Sequence, residues 1–224
     1  MIDLLTGVQS SKRNYYSELK TTVDELKKKN SQLEIINEVM SSFTSNFSVF
    51  DMLQNMLIKL KNVYPIDRVS TALGNDHELV LSYVYPESDM YLAKGTRFPK
   101  NNSLYHEVLT LGYNTVYHDD NSNSFFEKEG FQRLGLISVH LFPLKSNGKT
   151  IGVLSLGSRS HFQCTEEDLA FFFNLADQVA VCVENARLFS EVLSGKQRWE
   201  ETFRAVSDAI LIIAPDGTVV SRND

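Results

Sequence analysis

Between Tyr16 and Met40, apolar side chains recur at alternating steps of three and four residues, with polar side chains between them. This 3.5-residue period is typical of a helix that lies along a partner helix. Asn30 and Asn37 fall on the same seam, where an Asn fixes register because it is satisfied by an Asn facing it. We therefore predict that residues 1–30 form a coiled-coil helix that pairs in parallel with a second copy of the chain. The alternative is a single amphipathic helix that packs on its own domain. The candidate dimer interface on this helix consists of Leu19, Val23, Leu26, Asn30, Leu33 and Asn37.

After a serine-rich break, a second helix is predicted to open at Asp51, and the hydrophobic period then changes to two. Apolar and polar residues alternate over 69–73 and again over 79–85, with a short Gly-Asn-Asp link between the two runs. A second pair of strand-like runs, 137–144 and 150–156, surrounds an Asn-Gly turn signal. Hairpins separated by helices predict an α+β fold with a central antiparallel sheet, flanked by helices.

A long helix is predicted to follow the second hairpin. Thr165 to Asp168 resembles a capping box with Asp in place of Glu, and helical character persists to Phe203. Only Gly195 weakens this helix, at a cost of about 1 kcal/mol. A helix of this length extends beyond a compact domain, so we expect its apolar stripe to pair with a second copy. The candidate interface residues on this helix are Val179, Val183 and Ala186.

The last residues read as the beginning of another unit. Residues 191–203 are predicted to be a connecting signalling helix, and 204–224 contain two strand-like runs around a Pro-Asp-Gly turn. Two strands without a third strand or a covering helix are marginally stable. We therefore expect this chain to be a piece of a longer protein that is cut inside a second domain.

Composition and charge narrow the classes of function. The 224 residues carry a formal net charge of −6, which argues against nucleic-acid binding. Cys164 and Cys182 are too few for a disulfide framework or a CxxC zinc site, as expected in a reducing cytosol. The sequence has no apolar run of the roughly 18 residues that a membrane helix needs, and its N-terminus does not resemble a signal peptide. These observations predict a cytoplasmic location, with no membrane segment in this fragment.

Motifs for catalysis are missing from the sequence. It contains no Walker-type phosphate loop, no HExxH and no nucleophile elbow around Ser138. Two His-Glu pairs, at His77 and His106, resemble the opening of a kinase phosphoacceptor box by chance, because their surroundings do not fit one. We predict no catalytic residues and no metal site in this chain.

The second half of the chain resembles a GAF domain. The residues that carry the resemblance are Leu134-Gly135, Phe142-Pro143-Leu144, Asn147-Gly148-Lys149, Ile151-Gly152-Val153-Leu154, Phe162 and Thr165-Glu166-Glu167-Asp168-Leu169. The runs 175–180 and 184–188 resemble the closing helix of that family. The resemblance covers roughly residues 31–190 and implies a GAF-type sheet between long N- and C-terminal helices. Residues 199–223 resemble the opening of a PAS domain.

The order of helix, GAF domain, connecting helix and PAS domain implies a bacterial multidomain signalling protein. In such proteins these elements precede the output domain of a sensor histidine kinase, a diguanylate cyclase or an enhancer-binding transcription activator. The resemblance implies a homodimer whose PAS and output domains lie downstream in the same chain.

The pocket of the family would lie between the sheet and roughly residues 91–132. Aromatic side chains with a few polar tips suit a small organic ligand, whose identity stays unknown. The alternative is that these side chains fill the core. A buried neutral histidine is favoured over haem ligation for His140. The bilin and cyclic-nucleotide signatures of related subclasses are not found. The candidate ligand-binding residues are Tyr83, Tyr85, Phe98, Tyr105, His118, Phe125 and His140.

The sequence therefore favours a non-catalytic sensory module that relays binding of a small molecule or partner protein through dimeric helices. One alternative is a ligand-free dimerisation spacer. Another is a reductase of the GAF-type methionine-sulfoxide class, which is disfavoured because neither cysteine lies near the predicted pocket.

Overall fold

The computed structural model describes residues 2–41, 48–74, 78–87, 90–119, 124–205 and 211–222. The chain divides into two compact units, Met1–Cys182 and Val183–Asp224. The helices of the described residues are α1 (Ile2–Ser41), α2 (Val49–Leu60), α3 (Leu104–Leu111), α4 (Lys128–Arg133) and α5 (Glu166–Ala205). The strands are β1 (Arg68–Gly74), β2 (Leu79–Tyr85), β3 (Arg97–Phe98), β4 (Thr115–His118), β5 (Ser138–Ser146), β6 (Lys149–Ser158), β7 (Leu211–Ile213) and β8 (Val219–Arg222).

The first unit is built on a six-stranded sheet in the order β3-β2-β1-β6-β5-β4. All neighbouring strands in it are antiparallel. The turn between β5 and β6 places Asn147 and Gly148 at φ 50° and 76°, as expected for an Asn-Gly pair. The predicted α+β fold, with two hairpins and long terminal helices, is confirmed.

Local capping sets where two of the helices begin. Helix α2 begins at Val49, two residues before the predicted start, because the Oγ of Ser48 accepts a hydrogen bond from the backbone N–H of Asp51. At the start of α5 the predicted capping box is present. The Thr165 Oγ1 accepts from the Asp168 N–H at 3.2 Å, and an Asp168 carboxylate oxygen accepts from the Thr165 N–H at 3.1 Å.

The sheet is covered on both faces, which separates two layers of core. Along β5, Val139 and Leu141 belong to the apolar cluster that also includes residues of α3 and α4. Their neighbour Phe142 lies on the other face, where its ring centroid is 5.5 Å from that of Phe172 in α5. We call these the pocket face and the helix face of the sheet. All of these residues lie in the first unit.

Helix α1 carries two different apolar stripes. Ile35 and Val39 are buried, at 1% and 0% exposure. The predicted seam residues remain exposed, at 51% for Leu19, 39% for Val23, 62% for Leu26 and 60% for Leu33. Asn30 and Asn37 are exposed as well. The seam is therefore not used within the chain, and its pairing with a second copy stays a prediction.

Two of the candidate interface residues on α5 are core residues. Val179 is fully buried, and Val183 is 4% exposed, so neither side chain has surface left for a second chain. The prediction is wrong for these two valines because an apolar helical stripe does not distinguish burial within a chain from burial between chains. Ala186 is half-buried and keeps its place in the predicted interface. Beyond it, exposed apolar side chains continue along α5 at Leu188, Phe189, Val192, Leu193 and Trp199.

The second unit ends in a hairpin of β7 and β8. Asp216 stabilises its turn, since one carboxylate oxygen accepts from the N–H of Thr218 at 3.0 Å and also from its hydroxyl. The start of the first predicted strand, within 206–210, lies outside the described residues. That this hairpin opens a PAS domain stays a prediction. Across the described residues, the structure contains no helix that is both long enough and apolar enough to span a membrane.

Candidate functional site

A row of buried polar side chains lies on the pocket face, along the paired strands β1 and β6. Ala72 belongs to the apolar cluster of this face, and Ser70 and Arg68 precede it at the alternate positions that point the same way. Ser70 pairs across the strands with Ser155, and both side chains are buried, at 3% and 4% exposure. Arg68 pairs across the strands with Gly157, which has no side chain that would occupy space beside the aliphatic part of Arg68.

Tyr105 of α3 lies over this row. Its side chain is 2% exposed, and its hydroxyl is 3.4 Å from the Oγ of Ser70 and also hydrogen-bonds with Ser155. Its ring stacks on Phe98 of β3, with the centroids 4.2 Å apart. Burial raises the pKa of Tyr105, so the phenol stays neutral and can donate a hydrogen bond at physiological pH.

Arg68 is buried, and no carboxylate among the described residues forms a hydrogen bond or an ion pair with its guanidinium. It is 8% exposed, and its Nη1 and Nη2 donate to the carbonyl oxygens of Pro86 and Leu92 at 3.1 and 2.7 Å. Burial lowers the pKa of Arg68, although the nearby Tyr105 opposes this shift. Since arginine stays protonated in proteins, this face of the sheet holds a positive charge whose hydrogen-bond partners, among the described residues, are neutral carbonyl groups.

A buried carboxylate closes the other side of the pocket layer. Glu127 is fully buried; its carboxylate accepts from the Ser103 hydroxyl and, at 3.2 Å, from the N–H of Leu104. These donors belong to the N-terminal end of α3, where a negative charge is favoured. Burial raises the pKa of Glu127, against the effect of these hydrogen bonds. The hydrogen bonds of this carboxylate therefore link the N-terminal end of α3 to the residues that precede α4.

Aromatic rings form much of the remaining layer. Tyr117 lies 5.5 Å from Phe125 and 5.0 Å from Phe131, measured between ring centroids. The buried members of the cluster are Ala72, Leu79, Leu81, Val84, Phe98, Tyr105, Val108, Tyr117, Phe125, Phe131, Leu136, Val139, Leu141 and Val153. Three of the seven predicted ligand-binding residues, Phe98, Tyr105 and Phe125, are therefore brought together on the pocket face.

His140 lies on the opposite face from the predicted pocket. It is 2% exposed, its Nε2 is 3.0 Å from the carbonyl oxygen of Phe162, and its Nδ1 is 3.4 Å from the Sγ of Cys164. Burial lowers its pKa, which keeps the imidazole neutral. His140 was a candidate ligand-binding residue, but the alternation of β5 directs it to the helix face, where it is the buried neutral histidine that the sequence favoured.

Three more of the candidate ligand-binding residues lie on the helix face instead of the pocket face, for the same geometric reason. Tyr85 has its ring 5.9 Å from that of Phe50 in α2, on the helix face. Tyr83 is opposite Thr71 and His118 is opposite Ser138, so both follow the alternation that directs side chains away from the pocket. All three are half-buried.

Sequence reasoning missed Arg68, Ser70 and Ser155. Their period-two pattern was visible, but alternation alone does not show whether the polar positions of a strand are buried or solvated. The sheet is covered on both faces, so the polar positions of β1 are as buried as the apolar ones. An arginine in phase with serines on a central strand was the signal available.

A second polar cluster, which we call the clasp, ties α1 to the first turn of α5. The Tyr64 hydroxyl donates to Asp168 Oδ1 at 2.8 Å and accepts from Gln32 Nε2 at 2.6 Å. Lys28 Nζ lies 2.7 Å from the same carboxylate oxygen. Burial opposes ionisation of Asp168, but the hydrogen bonds from Lys28, Thr165 and Tyr64 outweigh it and lower the pKa of Asp168.

Neither cysteine is placed for chemistry on the pocket face. Cys164 contacts His140 on the helix face, and burial raises its pKa to about 12. Cys182 donates to the carbonyl oxygen of Val39 at 3.3 Å, and burial raises its pKa to about 11. Both are therefore protonated thiols at neutral pH, whereas nucleophilic chemistry needs the thiolate. The described residues contain no group of three His, Cys, Asp or Glu side chains that could hold a metal ion.

Comparison with known proteins identifies the architecture. The family model of the GAF domain matches residues 51–183. The solved GAF domain of a two-component sensor histidine kinase from Bacillus halodurans is 35% identical, with a TM-score of 0.58, and the match covers 64% of this chain and 98% of that one. A search of curated proteins found no match.

Two further solved structures share the fold at lower identity. One is the GAF domain of a phosphoenolpyruvate-protein phosphotransferase from Coxiella burnetii, at 18% identity and a TM-score of 0.58, covering 72% of this chain and 97% of that one. The other is a free methionine-R-sulfoxide reductase from Neisseria meningitidis, at 22% identity and a TM-score of 0.54, covering 70% and 90%. At these identities the likeness concerns the fold alone.

Proposed function

The chain belongs to the GAF domain family, and we propose that it is a non-catalytic sensory module of a bacterial signal-transduction protein. In this proposal, a small molecule or partner protein on the pocket face biases how α1 and α5 pack against a second copy of the chain. A sensor histidine kinase is the favoured output, because the 35% identical relative is the GAF domain of such a kinase. A diguanylate cyclase or an enhancer-binding transcription activator is the alternative output.

The observation that carries this proposal is the clasp. Asp168 is in the first turn of α5, Lys28 and Gln32 are in α1, and Tyr64 joins them from the end of α2. The Cys182–Val39 hydrogen bond adds a second connection between α5 and α1. A displacement of either helix would therefore change the contacts of the other. Such coupling is what a relay between two helices requires.

The exposed seam of α1 supports pairing with a second copy. Leu19, Leu26 and Leu33 repeat at heptad spacing and are each at least half exposed. A continuous apolar stripe of this kind is costly in water and is buried when two helices pair. Asn30 and Asn37 on the same stripe favour a defined register over simple apolar association.

A ligand-free spacer is the second candidate function, and the packing of the pocket face favours it. Phe98, Tyr105, Phe125 and Phe131 already fill much of the layer between the sheet and α3. Native mass spectrometry of chain purified from a bacterial host separates the two functions. A retained small molecule supports the sensor, and its consistent absence supports the spacer.

The reductase alternative finds less support. The methionine-sulfoxide reductase shares the fold at 22% identity, whereas in this chain Cys182 is buried, Cys164 is half-buried beside His140 on the helix face, and both thiols are protonated. A thiol-dependent reductase assay on the purified chain is expected to show no turnover. Turnover that is lost in Cys164→Ser would restore this alternative.

Cysteine cross-linking tests the dimeric relay. Leu26→Cys and Leu33→Cys are each expected to form a disulfide-linked dimer under mild oxidation, because equivalent seam positions face each other in a parallel pair. Asp24→Cys is the matched control, since Asp24 is an exposed residue on the opposite side of the same helix. The unmodified chain reports any background from Cys164 and Cys182.

If the two seam variants cross-link no better than Asp24→Cys, α1 does not pair through this seam and the relay loses its basis. Analytical ultracentrifugation of the unmodified chain provides an independent measure of the same association.

A further inference from the structure

The buried charge of Arg68 is the feature of the pocket face that the proposed function leaves unused. Arg68 as a whole is 8% exposed, so it has lost most of its contact with water, and buried charged groups are normally paired with a group of opposite charge. Among the described residues, its hydrogen-bond partners are two neutral carbonyl oxygens. The buried carboxylate of the pocket layer, Glu127, is engaged by the N-terminus of α3.

The other polar side chains of this face near Arg68 are neutral hydroxyls, which can donate hydrogen bonds to an anion. Three hydroxyls, on Ser70, Ser155 and Tyr105, lie together on the same face, and burial keeps the Tyr105 phenol protonated. A guanidinium has five N–H donors, of which two are used by the carbonyls of Pro86 and Leu92. An arrangement with surplus donors and a positive charge is complementary to an oxyanion.

The shape of the guanidinium and the chemistry of the neighbouring side chains narrow the class of ligand further. A planar guanidinium matches a planar group with two oxygens, which favours a carboxylate over a spherical halide. Phe98 and the ring of Tyr105 form an apolar, aromatic wall next to the hydroxyls. An organic body of small size, apolar or aromatic, would contact these rings while its carboxylate reached Arg68.

We propose that the signal sensed by this GAF domain is a small organic carboxylate, held by the Arg68 guanidinium and the hydroxyls of Ser70, Ser155 and Tyr105. This inference rests on the proposed sensory function and names the chemical class of its ligand. It assigns Arg68 the role of the specificity-determining residue.

Thermal-shift and calorimetric titrations of the whole chain test the proposal with matched pairs of ligands. The probes are acetate, benzoate, phenylacetate and glutarate, each compared with the corresponding amide. At least one carboxylate is expected to raise the Tm, whereas its amide is not, because only the ion gains from the buried positive charge. Material retained through purification is identified in parallel by native mass spectrometry.

Variants of Arg68 and its neighbours then assign the effect. Arg68→Gln is expected to abolish the carboxylate-dependent shift, and Arg68→Lys to weaken binding at least about tenfold, because a lysine cannot form the paired hydrogen bonds. Ser155→Ala is expected to weaken binding less and to leave the fold intact, which keeps the test valid if Arg68→Gln unfolds. Arg159→Gln, at an exposed arginine, is the control and is expected to change nothing.

Three results would overturn the proposal. The first is that no carboxylate, either from the panel or co-purified, binds in an Arg68-dependent manner. The second is that the retained molecule is neutral or cationic and binds Arg68→Gln equally well, in which case the sensory function stands and only the ligand class fails. The third is that Asp89→Asn, at a carboxylate outside the described residues, destabilises the free chain as much as Arg68→Gln does, so that the chain itself neutralises the arginine. Failure of the proposed function itself is seen separately, as loss of the Leu26 and Leu33 cross-links.

Discussion

The two faces of the central sheet treat buried charge in opposite ways. On the helix face, the Asp168 carboxylate receives hydrogen bonds from Tyr64, Lys28 and Thr165, so that a negative and a positive group balance. On the pocket face, Arg68 meets only neutral groups of the described chain. A balanced buried pair stabilises a particular helix arrangement, whereas an unbalanced charge is a site that a ligand of opposite sign can complete. In the proposed sensory function, the helix face is the part that transmits and the pocket face is the part that recognises.

Removing the clasp carboxylate is expected to produce the largest effect. Asp168→Ala leaves the Tyr64 hydroxyl without its acceptor, leaves Lys28 unpaired and removes the carboxylate half of the capping box of α5, so we expect a loss of about 3 kcal/mol in the free energy of unfolding. Urea denaturation followed by circular dichroism measures it. Glu167→Ala is the control, because that exposed carboxylate is 3.9 Å from Lys29 and should contribute less than about 0.5 kcal/mol. Equal effects of the two variants would contradict the role given to the clasp.

Paired tyrosine variants compare the faces directly. Tyr64→Phe deletes a hydroxyl that donates to a charged carboxylate and accepts from Gln32, so we expect a loss of about 1.5 kcal/mol. Tyr105→Phe deletes a hydroxyl that meets serines, with the Ser70 Oγ at 3.4 Å, and should cost about 0.5 kcal/mol in the free chain. Tyr16→Phe, at a residue 70% exposed, serves as the reference. If Tyr105→Phe is the more damaging variant, the pocket face is the more tightly bonded of the two.

The smallest effects, but opposite in sign, are expected in the dependence of stability on pH. The pKa of Asp168 is lowered from 3.8, so its contribution is present above that pH and is lost as the pH falls through the lowered value. The pKa of Glu127 is raised from 4.5, so its contribution is present below that pH and is lost as the pH rises through the raised value.

Relative to the unmodified chain, Asp168→Asn should therefore lose stability as the pH rises from 3 to 7, and Glu127→Gln should gain over the same range. Urea denaturation at several pH values measures both differences. Parallel pH profiles for the two variants would show that the two carboxylates do not differ in environment.

Much of the fold was predictable because it depends on local rules. The Asn147-Gly148 turn and the Thr165–Asp168 box both act within a few residues, and both are present as expected. The hydrophobic period then distinguished strands from helices. The candidate site was predicted less well, with three of its seven aromatic and histidine residues on the pocket face.

The failures share one physical cause. Period-two alternation tells which side chains share a face of a strand, but it does not tell which face lies under α3 and which lies under α5. His140 and Tyr85 were placed on the wrong face for that reason, and Arg68 was overlooked because both faces of the sheet are buried. Likewise, an apolar helical stripe predicts burial without naming the partner, so Val179 was taken for an interface residue.

The sequence by itself therefore determined the main helices and hairpins, their order and the family, since turns, caps and periodicity are set by neighbouring residues. Only the tertiary structure decided which residues meet. It brought Arg68 to Tyr105 and Asp168 to Lys28, which are 37 and 140 positions apart in the chain. Contacts between such distant residues arise when both faces of a sheet are covered at once, and that depends on how whole layers pack.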